Sequence, residues 1–165
     1  MSITIRPLYF LLLAFSLFLL GGSFVLQFLF HLEPCPLCII DRVLVFILTI
    51  FFVIALWHNP KHRGQQVYSF IGFFIASLGI LSSARHLWII HLPPELAPDC
   101  GPGIDYLFGT LPPHEALLLV LRGSGECAVN KSAFLGFPIP GWTLISFILL
   151  ALGSLLPWWG KKRTA

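Results

Sequence analysis

The sequence predicts an all-α membrane protein, a four-transmembrane-helix bundle with a short interfacial helix in its second external loop. Two observations predict this class. Of the 165 residues, 57% are hydrophobic and only 10% charged, with 16 Phe, 5 Trp and a positive mean hydropathy, far from the mixture of a soluble domain. Apolar runs close to the ~20 residues needed to cross a bilayer then recur at 8–30, 39–57, 67–90 and 142–159. So little chain lies between them that 1–165 reads as a single integral membrane domain with no separate soluble domain. Membrane lipid is its surroundings, and nucleic acid is not an expected partner.

The first run follows Arg6 and meets Gly21-Gly22-Ser23, an outline shared with cleavable signal peptides. Its apolar character continues through Phe30, beyond a signal core, and no small-x-small cleavage site stands out, so it reads as a retained helix. A short link carries Cys35 and Cys38 into the second run, a turn at 58–66 joins the second run to the third, and a long segment, 91–141, precedes the fourth. Lys and Arg set the orientation, because positive flanks stay cytoplasmic. Arg6, Lys61, Arg63, Lys161, Lys162 and Arg163 fall on one side. The 91–141 segment carries Glu95, Asp99, Asp105, Glu115 and Glu126 against Arg122 and Lys131, and belongs on the other. Both termini are then cytoplasmic and all four cysteines external, in a space where disulfides persist in the bacterial case.

That external segment is uneven. Stretches 91–98, 101–103 and 111–113 are rich in proline and glycine, which favours irregular backbone. Residues 114–122 are apolar with charged ends and too short to cross. They form the short helix, lying in the membrane interface and tethering Cys100 and Cys127 near the bilayer, or packed on the external ends of the bundle.

The chemistry begins at Cys35-Pro36-Leu37-Cys38. A dithiol pair at a membrane surface reads first as redox chemistry. Two intervening residues close a small, constrained ring, and Cys38 falls at the expected N-terminus of the second helix, where unsatisfied amides favour a thiolate. Arg42 lies one turn further on, about 6 Å along the axis, on the face of Cys38. Asp41 opposes that effect unless Arg42 neutralises it. A CxxC also serves zinc sites, and the added weight here comes from its place at the mouth of a spanning helix with an arginine beneath it.

A cation near the hydrocarbon boundary and the positive end of a helix needs an acceptor. For Arg42 the candidates are Asp41, a lipid phosphate, snorkelling into water, or the carbonyl oxygen of a lipid-soluble electron acceptor beside Cys38. If the second and third helices form an antiparallel hairpin centred near residue 62, His86 lies 24 positions after the centre and Cys38 lies 24 before it. His86 and its neighbour Arg85 then sit at the depth of Cys38, as further ligand-binding candidates or as interface anchors. Cys100 and Cys127, an even pair in an oxidising space, should bridge. Their bridge is a static staple or a partner for the CxxC pair in thiol–disulfide exchange.

Four spans in this order, Cys35-Pro36-Leu37-Cys38 followed by Arg42, the pair Cys100 and Cys127, and Phe134-Leu135-Gly136-Phe137-Pro138-Ile139-Pro140-Gly141-Trp142 leading into the last helix together resemble the disulfide bond formation protein B (DsbB) family over nearly the whole chain. The resemblance implies a protein-dithiol:quinone oxidoreductase of the bacterial inner membrane. A DsbA-like, thioredoxin-fold oxidant of the periplasm would attack the Cys100–Cys127 disulfide at Cys100. Electrons would pass to Cys35–Cys38, and Cys38 would deliver them to a quinone, ubiquinone or menaquinone, held by Arg42 with His86 or Arg85. No metal is expected. Three other readings compete: a vitamin K epoxide reductase-like protein, in which the CxxC is expected after the loop pair rather than before it; a closed four-cysteine zinc site; and a noncatalytic scaffold with two structural disulfides.

Overall fold

The computed structural model describes residues 5–29, 35–58, 60, 62–92, 112, 114–115, 133–134 and 136–159. Four helices dominate: α1 (Ile5–Leu29), α2 (Pro36–His58), α3 (His62–Ile90) and α4 (Ile139–Trp159). A two-stranded hairpin, β1 (Ala133–Phe134) and β2 (Phe137–Pro138), runs directly into α4. All four helices are long and apolar enough to cross a membrane. Each begins three to five residues before its apolar run, because hydropathy marks the lipid-crossing part while the first turn tolerates proline and polar residues. Pro36 opens α2 in this way, and Pro140 stands in the first turn of α4.

The helices neighbour one another in chain order, and the α3–α4 interface is the most extensive. Lipid tails are as apolar as leucine, so close packing rather than water exclusion holds such a bundle together. α3 presents Gly72, Ala76 and Gly79 along one buried stripe. The ring of Phe147 on α4 lies on Gly79 so closely that a Cβ there would collide with it, and Gly72 meets Ser154. Tyr9, Leu12, Leu48, Phe52, Phe147 and Leu150 fill the centre, while Phe10, Phe18, Phe70 and Leu81 face outward, as lipid requires. Three buried hydroxyls return to their own helices: Ser16 to the Leu13 carbonyl at 2.9 Å, Thr49 to Val45 and Ser154 to Leu150, both at 2.8 Å.

α1 and α4 touch only narrowly. Leu12 seats on Gly153, toward the start of one helix and the end of the other, and above that contact a cavity separates them. The α2–α3 hairpin is braced at its turn, where the Gln65 side chain donates to the Pro60 carbonyl at 3.0 Å and His58 Nδ1 meets the Tyr68 hydroxyl at 2.9 Å. At the other end, the strands pair Ala133 with Pro138 and Phe134 with Phe137. Gly136 turns between them at φ +79°, a left-handed conformation that glycine adopts without steric cost. Phe137 then packs edge-on against Trp142 at 5.8 Å, which fixes the hairpin to the start of α4. Cys100 and Cys127 lie outside the described residues, as does the short helix expected at 114–122 except for helical His114 and Glu115.

Candidate functional site

Cys35 and Cys38 open α2. The Cys35 carbonyl accepts the first helical hydrogen bond, from Ile39 at 3.2 Å, so Cys35 is the N-cap, Pro36 the first helical residue and Cys38 the third. The Cys38 amide donates to Cys35 Sγ at 3.4 Å, in the way a serine cap would accept it. Cys38 thus stands in the first turn of α2, as the sequence led one to expect, and the capping bond itself goes to Cys35. The two sulfurs lie 2.9 Å apart, with Cys35 buried and Cys38 partly exposed.

His86 stands against both sulfurs. It is 2% exposed, with Nε2 3.5 Å from Cys35 Sγ and Nδ1 4.0 Å from Cys38 Sγ. The hairpin register accounts for its depth, and Ile89, one turn further on, packs with Leu37 and Cys35 to lock the end of α3 against the start of α2. Arg85, by contrast, is exposed and is not among the residues that line the cavity described below.

Arg42 and Asp41 are neighbours that do not pair. The Arg42 guanidinium crosses to α1, where Nη1 donates to Gln27 Oε1 and Nη2 to the Ser23 carbonyl at 3.3 Å, and it lies 5.0 Å from the centre of the Phe24 ring. Its Nε is buried with no partner among the described residues. Asp41, 3% exposed, turns to α3 and accepts from the Ser83 hydroxyl at 3.0 Å through Oδ2, while Oδ1 has no partner among the described residues. The charges are therefore tied to opposite neighbours of α2. Sequence reasoning did not single out Gln27, Ser23 or Ser83. The signal was present: Ser23 and Gln27 are one turn apart in an otherwise apolar run, and Ser83 lies one turn before His86.

Cys35, Cys38, Asp41, Arg42 and His86 all line a cavity of about 250 Å³. Its other walls are apolar side chains of α1, such as Leu19 and Leu26, and of α4, such as Ile139 and Phe147. Two lining residues, Phe18 and Trp142, are also 74% and 43% exposed on the outside of the bundle, so the cavity opens sideways between α1 and α4.

Fold and site define a class, a multi-pass helical membrane protein with a redox-capable dithiol at one end of its bundle. Comparison with known proteins agrees. Residues 5–156 match the family described as disulfide bond formation protein DsbB. Disulfide bond formation protein B of Nitrosococcus oceani is 42% identical over 164 residues, covering 99% of this chain and 95% of the relative. The proteins of the same name from Methylococcus capsulatus, 40% identical over 158 residues (96% of each chain), and Hahella chejuensis, 42% over 161 (98% of each), are similar to the same extent. The chain belongs to the disulfide bond formation protein B family, and so is a membrane oxidant of disulfide bond formation.

Proposed function

We propose that the chain is a thiol:quinone oxidoreductase of the bacterial inner membrane, which reoxidises a periplasmic DsbA-like oxidant and passes the electrons to a quinone at the lateral cavity. The observation that carries this reading is the cavity itself: it opens sideways from the bundle, its walls are mostly apolar, and both Cys35 and Cys38 line it. Its volume is near the lower end of the ~300–1,000 Å³ of small-molecule sites, suited to one substituted ring rather than a whole lipid. The buried, unpartnered Nε of Arg42 and the partly bonded guanidinium beside it suit a carbonyl oxygen.

Arg42 and His86 would hold the quinone, with Leu19, Leu26 and Phe147 against its ring; exposed Arg85 has the weaker claim. Bound there, a quinone, ubiquinone or menaquinone, supplies a two-electron, two-proton acceptor. The chain's own residues do the rest. A thiolate of the reduced partner attacks the Cys100–Cys127 disulfide, forms a mixed disulfide with Cys100 and releases the Cys127 thiolate. The partner's second thiol resolves the mixed disulfide, leaving the partner oxidised and the loop pair reduced, and exchange with the Cys35–Cys38 disulfide carries the electron pair on to Cys35 and Cys38. His86, within reach of both sulfurs, takes up a thiol proton as that pair reoxidises. The apolar α1 and α4 side chains that line the cavity limit the access of water to the dithiol. Both termini are cytoplasmic in this reading, and the four cysteines face the periplasm.

The test is quinone reduction by the purified protein in lipid nanodiscs, given a reduced thioredoxin-fold oxidant and followed by quinone absorbance. Turnover is expected in the parent and lost in Cys38→Ala. A parent that binds the reduced oxidant but leaves the quinone unreduced overturns the proposal.

A further inference from the structure

We infer that the reduced Cys35–Cys38 pair and His86 together form a three-ligand site for one thiophilic divalent cation of the zinc or cadmium type, with a fourth position open to the cavity. One ligand atom from each residue lies within 4.8 Å of the others. Two thiolates and an imidazole form a donor set that closed-shell, borderline-soft ions prefer over harder cations.

The geometry is nearly in place. A tetrahedral ion at about 2.3 Å from each sulfur and about 2.0 Å from nitrogen sets the sulfurs roughly 3.8 Å apart and sulfur to nitrogen roughly 3.5 Å. Cys35 Sγ already lies 3.5 Å from His86 Nε2, and the sulfurs lie 2.9 Å apart, so the pair has to open by less than ~1 Å. Cys38 is partly exposed and borders the cavity, so its side chain has room to turn outward. Cys35 is held by the cap and His86 by burial, so most of the ordering cost of assembling a site is already met.

Charge does not oppose this outcome. A divalent ion with two thiolates and a neutral imidazole sums to zero, as does the dithiol it replaces, so binding adds no net charge beside hydrocarbon. Binding replaces the two thiol protons and releases them to solvent; no electron moves, and the sulfurs remain reduced. With both sulfurs ligated, neither is available to form a disulfide. That last consequence, inhibition of turnover, rests on the proposed function; the binding site does not.

The probe is Cd²⁺ alone, added anaerobically to the full chain carrying Cys100→Ser and Cys127→Ser, so that loop thiols contribute nothing. The expected result for the reduced protein is one ion per chain, an ultraviolet thiolate-to-cadmium charge-transfer band and release of about two protons per ion. Oxidation of Cys35 and Cys38 should abolish all three. His86→Ala should weaken binding by more than about tenfold. Should that variant fail to insert, the nearly isosteric His86→Asn gives the same reading. A reduced chain without the band, or a His86 variant that binds as tightly as its parent, overturns the inference. Quinone turnover measured without metal keeps the two proposals separate: a chain that binds cadmium but reduces no quinone retains the site and loses the function.

Discussion

Arg42 is the residue at which the chemistry is most exposed to test, because its guanidinium is bound to α1 on one side and borders the cavity on the other. If Arg42 holds the quinone as proposed, Arg42→Ala removes a charge-assisted hydrogen bond typically worth about 1.5–3 kcal/mol, so the apparent KM for quinone should rise by roughly one to two decades while the helices stay intact. Arg42→Lys keeps the charge and loses the planar fork, and should fall between. Gln27→Ala frees one arm of the guanidinium and should cost less, about 0.5–1.5 kcal/mol. An unchanged KM in Arg42→Ala reduces the residue to an interfacial anchor. Asp41 gives a prediction about stability. Ser83→Ala strips the described partner from a buried carboxylate and should lower the unfolding midpoint in detergent by an amount equivalent to about 1–3 kcal/mol. Replacing both, with Asp41→Leu added, should recover much of that loss, because neither partner is then left unsatisfied. A silent Ser83→Ala shows that the bond contributes nothing.

Among the elements, α3 and α4 depend on close approach. Gly79→Leu places a side chain where the Phe147 ring lies, and overpacking of this kind typically costs about 1–3 kcal/mol. The thermal midpoint should fall, and Phe147→Ala added to it should restore part of the loss, a coupling that independent sites would not show. Additive losses in the double variant mean that the two residues do not oppose each other. The helices themselves were legible in advance, since four runs of bilayer length have no other stable outcome in lipid. Their first turns were not, because caps and prolines carry no hydropathy. The sequence placed Cys38 in the first turn of α2, where the structure has it, but hydropathy does not show that Cys35 caps that turn.

For the whole molecule, the proposed relay would make the loop pair directional. Cys127→Ala should trap the thioredoxin-fold partner as a mixed disulfide through Cys100, visible on a non-reducing gel, and Cys100→Ala should abolish the capture. If both variants oxidise the partner at the parent rate, the pair is a staple and the relay is wrong. Orientation is tested separately. After reduction, a membrane-impermeant thiol reagent on the periplasmic side should label the loop cysteines Cys100 and Cys127, and labelling from the cytoplasmic side alone would reverse the assignment.

Composition and spacing by themselves determined that the chain spans the membrane four times and carries a dithiol at the mouth of its second span. The hairpin count placed His86 level with that dithiol, since two helices of equal rise keep register from a shared turn. Only the tertiary structure decided where Asp41 and Arg42 go. Adjacent residues on a helix point about 100° apart, and which neighbour waits in each direction depends on the packing of α1 and α3 around α2. The cavity belongs to the same level: it exists because α1 and α4 touch at Leu12 and Gly153 and part above them, a relation between the first and last helices that no local stretch of sequence contains.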